Sequence, residues 1–225
     1  ICIWPSFPSL RHRYSNCDPG TDGSHELTSM IKLGVLGSTN GTDLQAILDA
    51  IQAEQLNAAV SVVLSNRENA FILKRAQNHN VPTSFISHQG KKREEFDAEI
   101  TKVLKNHNVD LVLLIGFMRI LSDAFCREWH DRILNVHPSL LPKYAGGMDM
   151  NVHEEVLKNN DKETGCTIHF VTDKIDGGPI LIQKKCDVEP NDTAQSLKTK
   201  VQDLEGNAFL EAIKLFETKY VFHNG

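Results

Sequence analysis

"LGVLGSTNGTDLQAI", residues 33–47, carries the pattern from which the fold follows. An unbroken aliphatic run ends in a cluster of small residues, and an amphipathic stretch begins at once. Strand, small-residue turn and helix in this order form the first half of a parallel β-α-β unit. The pattern then repeats along the chain. Aliphatic runs at 33–36, 60–65, 83–86, 111–115 and 133–137 predict strands, and amphipathic stretches near 43–53, 70–80, 92–106 and 122–128 predict the helices between them. Strands that are apolar throughout, rather than alternating, belong to a mostly parallel sheet covered on both faces. After residue 150 the pattern changes. A helix near 152–159 precedes two β-rich runs, 167–171 and 179–186, joined by "TDKIDGGP", and a long helix over about 193–216 follows. The expected fold is α/β: a single Rossmann-like domain with a mostly parallel twisted sheet, helices on both faces, a C-terminal β-hairpin region and a long final helix.

The domain is expected to run from 30 to 218, with a short tail at 219–225. Residues 1–29 mix Pro, Ser, Gly and single aromatics without a helical or strand period. They contain no apolar core of the roughly 7–15 residues that a signal peptide needs. Met30 stands directly before the first strand and is expected to be the natural start, with a leader, a tag or a disordered tail upstream. Few arginines and no amphipathic period weigh against a transit peptide.

At 40% hydrophobic and 24% charged, the chain has the make-up of a globular protein able to bury a core. A net charge of −5 supplies no global field for nucleic acid or membrane, so neither is expected as a partner. The five cysteines, Cys2, Cys17, Cys126, Cys166 and Cys186, include no C-x-x-C pair. Neither a zinc site nor a disulfide framework is indicated, and a reducing, cytoplasmic setting fits.

Ligands of open parallel sheets bind at the carboxyl ends of the strands, where the strand order reverses. The exits here are "GSTNGTD", "SNREN", "GFMRIL" and "NVHPSLLP". In the first, residues 37–42 allow backbone N–H groups to face an anion at a helix N-terminus. The spacing is neither G-x-G-x-x-G nor G-x-x-x-x-G-K-[ST], so one phosphate suits it better than a dinucleotide or triphosphate. Asp43 opposes an anion, and the segment also reads as an ordinary helix start with Thr42 or Asp43 near the N-cap. Asn135 and His137, two apart on a predicted strand, project to the same face. An amide and an imidazole aimed at one cleft suit acyl chemistry, the amide donating to an oxyanion and the imidazole donating or moving a proton. Pro138 and Pro142 would stiffen this exit. In "TIHFVTDKIDGGPI", Asp173 and Asp176 are both available to face His137, though "DGG" is also an ordinary hairpin turn. No G-x-S-x-G elbow and no H-x-x-x-H or H-E-x-x-H is present, so a covalent intermediate and metal catalysis are not expected. Direct transfer between two bound substrates remains.

"GFMRIL" (116–121), "NVHPSLLPKYAG" (135–146) and "IHFVTDKIDGGPI" (168–180) together resemble the signature segments of the glycinamide ribonucleotide formyltransferases, over about residues 32–216. The resemblance implies formyl transfer from 10-formyltetrahydrofolate, as co-substrate, to the amine of 5′-phosphoribosyl-glycinamide in purine biosynthesis, by a monomer or homodimer. It implies Asn135, His137 and Asp176 as the catalytic trio. Gly41, Thr42 and Asp43 would line the phosphate end of the nucleotide, and Gln202 and Glu205 its ribose or amide end. Folate would meet Arg93, Met118, Arg119, Ile120, Leu121, Asn135, Thr172, Asp173, Lys174, Ile175 and Asp176. Lys143 and His169 are weaker candidates. Three departures stand out: Asp43 where the family usually has Asn, Ala145 for a usual proline, and a longer, differently composed segment at 146–155. Another folate-dependent formyltransferase, a formyltetrahydrofolate deformylase, and a non-catalytic folate or nucleotide binder remain open.

Overall fold

The computed structural model describes residues 30–147 and 150–223, so the expectations for 1–29 fall outside the described residues. The elements are β1 (Ile31–Gly37), α1 (Thr42–Gln52), β2 (Ala58–Ser65), α2 (Phe71–Asn78), β3 (Thr83–Phe85), α3 (Arg93–Asn106) and β4 (Leu111–Ile115). They continue as α4 (Asp123–Glu128), β5 (Ile133–His137), α5 (Met150–Lys158), β6 (Glu163–Phe170), β7 (Ile180–Asp187) and α6 (Ala194–His223). One sheet holds all the strands in the order β3-β2-β1-β4-β5-β6-β7. The first five run parallel, whereas β6 is antiparallel to both β5 and β7.

The unbroken aliphatic runs are explained by two cores, one on each face. Leu33 and Val35 of β1 and Leu111, Leu113 and Ile115 of β4 join α1, α2 and α6 in one cluster. Leu36 of β1 and Val112 and Leu114 of β4 join α3 and α4 in the other. Successive side chains of a strand point to opposite faces, so a strand between two cores has no position left for a polar residue.

Helix α6 packs on α1, β6 and β7. Its Phe209 is fully buried in the first cluster, along with Ala208, Ala212 and Ile213. Phe209→Ala is expected to cost about 3–5 kcal/mol, read as a lower urea midpoint at unchanged m-value.

Two boundaries differ from expectation by more than two residues. Strand β6 begins at Glu163 rather than at 167, because "ETGC" has little strand character of its own. Its pairing with β7 supplies the backbone partners, Glu163 opposite Asp187 and Thr164 opposite Cys186. Helix α6 also continues beyond 216, to His223.

Candidate active site

The order of strands reverses between β1 and β4, and at their carboxyl ends opens a cleft of about 1000 Å³. Its wall includes His137, Gly41, Thr42, Asp43, Gln202 and Glu205, as well as Arg93, Met118, Arg119, Ile120 and Leu121. Asn135, Thr172, Asp173, Lys174, Ile175, Asp176 and His169 complete the predicted set. Lys143 is the exception. It lies outside this wall and pairs with Asp161 at 2.9 Å, because the turn after Pro142 carries it to the surface.

At the centre, Asn135 and His137 leave β5 on the same face. The antiparallel return of β6 sets His169 opposite Asn135 in register, and the Asn135 amide nitrogen lies 3.2 Å from His169 Nε2. The loop after β6 folds back through a hydrogen bond from Phe170 N–H to the Pro179 carbonyl. A Cβ on Gly178 would stand 1.8 Å from the Phe170 carbonyl oxygen, so this close return requires glycine. The loop delivers Asp176, held at φ 50°, a conformation that Asp tolerates better than most residues. Asp176 Oδ2 lies 3.2 Å from His137 Nδ1 and accepts the Gly146 N–H at 2.8 Å. Its Oδ1 lies 3.5 Å from His169 Nε2. One carboxylate therefore meets both imidazoles. Asp173, equally available from sequence, is exposed instead.

Burial is the largest single influence on Asp176 and raises its pKa. The hydrogen bonds from His169 and the Gly146 amide, with the nearby His137, outweigh it and hold the carboxyl below the usual range. For His137 the balance runs the other way. Burial leaves the ring only 3% exposed and pulls its pKa below the ordinary 6.5; Asp176 and the Tyr144 carbonyl, 3.0 Å from Nε2, offset this only in part. A carboxylate neighbour by itself would raise the imidazole pKa. Loss of hydration outweighs the single close charge.

The exit beyond His137 is held by more than its prolines. Thr167 Oγ1 donates to the Ser139 carbonyl at 2.6 Å and accepts the Leu141 N–H, while the Gln183 amide donates to the Leu141 carbonyl. These partners lie on β6 and β7, and no feature within 135–146 points to them.

At one end of the cleft, Gly41 caps α1 in the left-handed region at φ 66°, with no side-chain cap. This replaces the predicted cap at Thr42 or Asp43. A Cβ there would stand 2.4 Å from Ile72. Asp43 is 5% exposed, its Oδ1 has no hydrogen-bond partner, and burial raises its pKa from 3.8 to about 7. Glu205 of α6 is buried on the same wall. Both carboxylates, after burial and Glu205 first, push the Cys166 thiol up to about 12, so the three groups share one neighbourhood.

At the other end, exposed Met118 and Ile120 face a loop carrying exposed Ile175, giving the mouth apolar edges. Buried polar groups shape the 116–122 segment. Met118 N–H donates to Ser38 Oγ, which donates to Asn66 at 2.6 Å, and Ser122 N–H donates to Asp97 at 2.6 Å. The Arg119 guanidinium lies 5.0 Å from the centre of the Phe96 ring.

Sequence reading missed Gln195, Lys198 and His153, which also line the cleft. A signal was present for two of them. Gln195, Lys198, Gln202 and Glu205 are spaced three, four and three apart, a polar stripe along one helix face. Met148 and Asp149, in the divergent 146–155 segment, fall outside the described residues. Among the described residues no helix is long and apolar enough to cross a membrane, and no three His, Cys, Asp or Glu side chains group as metal ligands.

The model of the formyl transferase family matches residues 31–213. The phosphoribosylglycinamide formyltransferase of Escherichia coli is 42% identical over 172 residues, covering 76% of this chain and 80% of that protein. A trifunctional purine biosynthetic protein, adenosine-3, of Chironomus tentans is 39% identical over 193 residues; the match covers 84% of this chain but only 14% of that protein's length. The solved phosphoribosylglycinamide formyltransferase of Coxiella burnetii superimposes with a TM-score of 0.79 at 40% identity, covering 84% of this chain and 88% of that one.

Proposed function

The chain belongs to the formyl transferase family, and we propose that it moves a formyl group from 10-formyltetrahydrofolate to the amine of 5′-phosphoribosyl-glycinamide. One observation carries this reading. The Asn135, His137 and Asp176 side chains converge midway along a cleft with a helix N-terminus at one end and apolar edges at the other. The named relatives that match over most of this chain act in the same chemistry.

The neutral substrate amine attacks the formyl carbon, and the carbonyl electron pair moves onto oxygen. Asn135 donates its amide N–H to that oxygen. His137, neutral at rest, accepts at Nε2 the proton that the attacking nitrogen sheds, exchanging the Tyr144 carbonyl 3.0 Å away for the substrate amine. The resulting imidazolium is stabilised by Asp176, which meets Nδ1, and it faces the oxyanion when negative charge is greatest. When the tetrahedral adduct collapses, the C–N bond to folate breaks with its electron pair on nitrogen, and the proton from His137 completes the leaving amine. A ring whose pKa lies below 6.5 suits this cycle, being free to accept a proton at neutral pH. His169, between Asn135 and Asp176, acts as a positioning residue for both. Arg93, Met118, Arg119, Ile120, Leu121 and the loop residues Thr172, Asp173, Lys174 and Ile175 would hold the folate. Gln202 and Glu205 would meet the ribose end of the acceptor.

A deformylase would use the same trio with water as acceptor. The wall formed by Gly41, Thr42, Gln202 and Glu205 favours a phosphorylated amine instead, since water needs no such end. Incubating the full chain with formyl folate, with and without glycinamide ribonucleotide, separates the two. Formylated nucleotide at a rate well above formate release is expected. Equal formate release with and without the nucleotide would sink the transferase reading.

A further inference from the structure

We propose that Asp43 is a specificity-determining residue that binds the acceptor's phosphate in its protonated form, so that the phosphate end takes up one proton together with its ligand. This rests on the reading that the α1 end of the cleft receives a phosphate.

Three observations support it. The cradle is built: α1 presents its free N–H groups behind a left-handed Gly41 that offers no capping side chain. An anion is favoured at such a terminus. Set into this terminus is a carboxyl group, 5% exposed, that lines the cleft and has one oxygen without any hydrogen-bond partner. A buried polar atom left unpaired is costly, the more so when it carries charge, so this environment favours the protonated carboxyl. The third observation concerns charge. Glu205 faces the same wall from α6 and Cys166 the same neighbourhood from β6, while Lys198 of α6 and His153 of α5 also line the cleft, with Arg93, Arg119, His137, His169, Asp173, Lys174 and Asp176 as its other charged or basic groups.

A phosphate dianion and an ionised Asp43 cannot share this place favourably, because like charges with little water between them repel. A protonated carboxyl reverses the interaction, donating its O–H to a phosphate oxygen. The protein already favours that form: burial alone brings Asp43 to about 7, and an adjacent dianion raises it further. Below that pH the carboxyl is mostly neutral and the cradle accepts its anion. Above it, binding must draw a proton from solvent and weakens.

The test is the affinity of the full chain for ribose 5-phosphate by calorimetry between pH 7.5 and 9, where a phosphate monoester with its second pKa near ~6 is already dianionic. Uptake of one proton predicts that Kd rises about tenfold per pH unit at the alkaline end. In buffers of different ionisation enthalpy, the heats should report about one proton bound per ligand. Asp43→Asn, whose amide donates at every pH, should bind with a Kd flat over this range and tighter than the unaltered chain at pH 9. A pH-independent Kd in the unaltered chain, or the same slope in Asp43→Asn, would overturn the proposal. The slope of the unaltered chain needs no variant to fold. Failure of the formyl-transfer reading looks different: ribose 5-phosphate would bind with the predicted slope while glycinamide ribonucleotide gained no formyl group.

Discussion

His137→Ala is expected to lower kcat for formyl transfer by about 10²–10⁴-fold while leaving the KM of both substrates within a few-fold. The ring contacts Asp176 and the Tyr144 carbonyl and is proposed to handle the proton that must cross from one nitrogen to the other. Its removal therefore affects the transition state far more than the ground state. The pH profile supplies a second readout. If His137 must start neutral, the rate falls as pH drops through its pKa, and because burial has lowered that pKa the acid limb lies below 6.5. In His137→Ala this limb should disappear along with most of the rate. Turnover near that of the unaltered chain, with the folded state intact by circular dichroism, would remove His137 from the mechanism.

The second large effect is expected at Asp176. Asp176→Asn keeps the shape and tolerates the φ of 50°, but removes the charge that meets both imidazoles. We expect kcat to fall by about 10²-fold or more, with the acid limb moved to lower pH. The sign follows from the causes of the His137 shift. Burial lowers that pKa and the carboxylate raises it, so deleting the carboxylate lets burial lower it further. The carboxylate itself stays ionised throughout, since its own pKa lies below 3.8. A lower rate with the acid limb unmoved would mean that Asp176 only holds the loop, through the Gly146 N–H, and does not tune the histidine.

The fold was largely legible because its signals are local. The run Leu111–Ile115 coincides with its strand to the residue, since a strand between two cores must be apolar at every position. Ile133–His137 also coincides, its apolar run interrupted by Asn135 and His137, which line the cleft. Where a boundary depended on a partner, legibility failed. The start of β6 at Glu163 is set by pairing with β7, and the helix start at Thr42 by a glycine whose left-handed backbone needs no capping side chain. The cleft was legible in the same measure, because strand exits are local features and the reversal of strand order gathers them. The polar stripe of α6 was only half read: Gln202 and Glu205 were named, Gln195 and Lys198 were not, although one helical period contains all four.

The sequence by itself determined the alternation of strand and helix, the exits at which chemistry could sit, and the common face of Asn135 and His137, because each follows from a period of two or of 3.6 within a short stretch. Only the tertiary structure decided which of Asp173 and Asp176 meets His137, that Thr167 and Gln183 brace the exit, that burial lowers the His137 pKa, and that Asp43 lies buried with an unpaired oxygen. These are matters of distance and hydration between groups far apart in the chain. A carboxyl's charge depends on the water and partners left to it after folding, and no local pattern of residues records them.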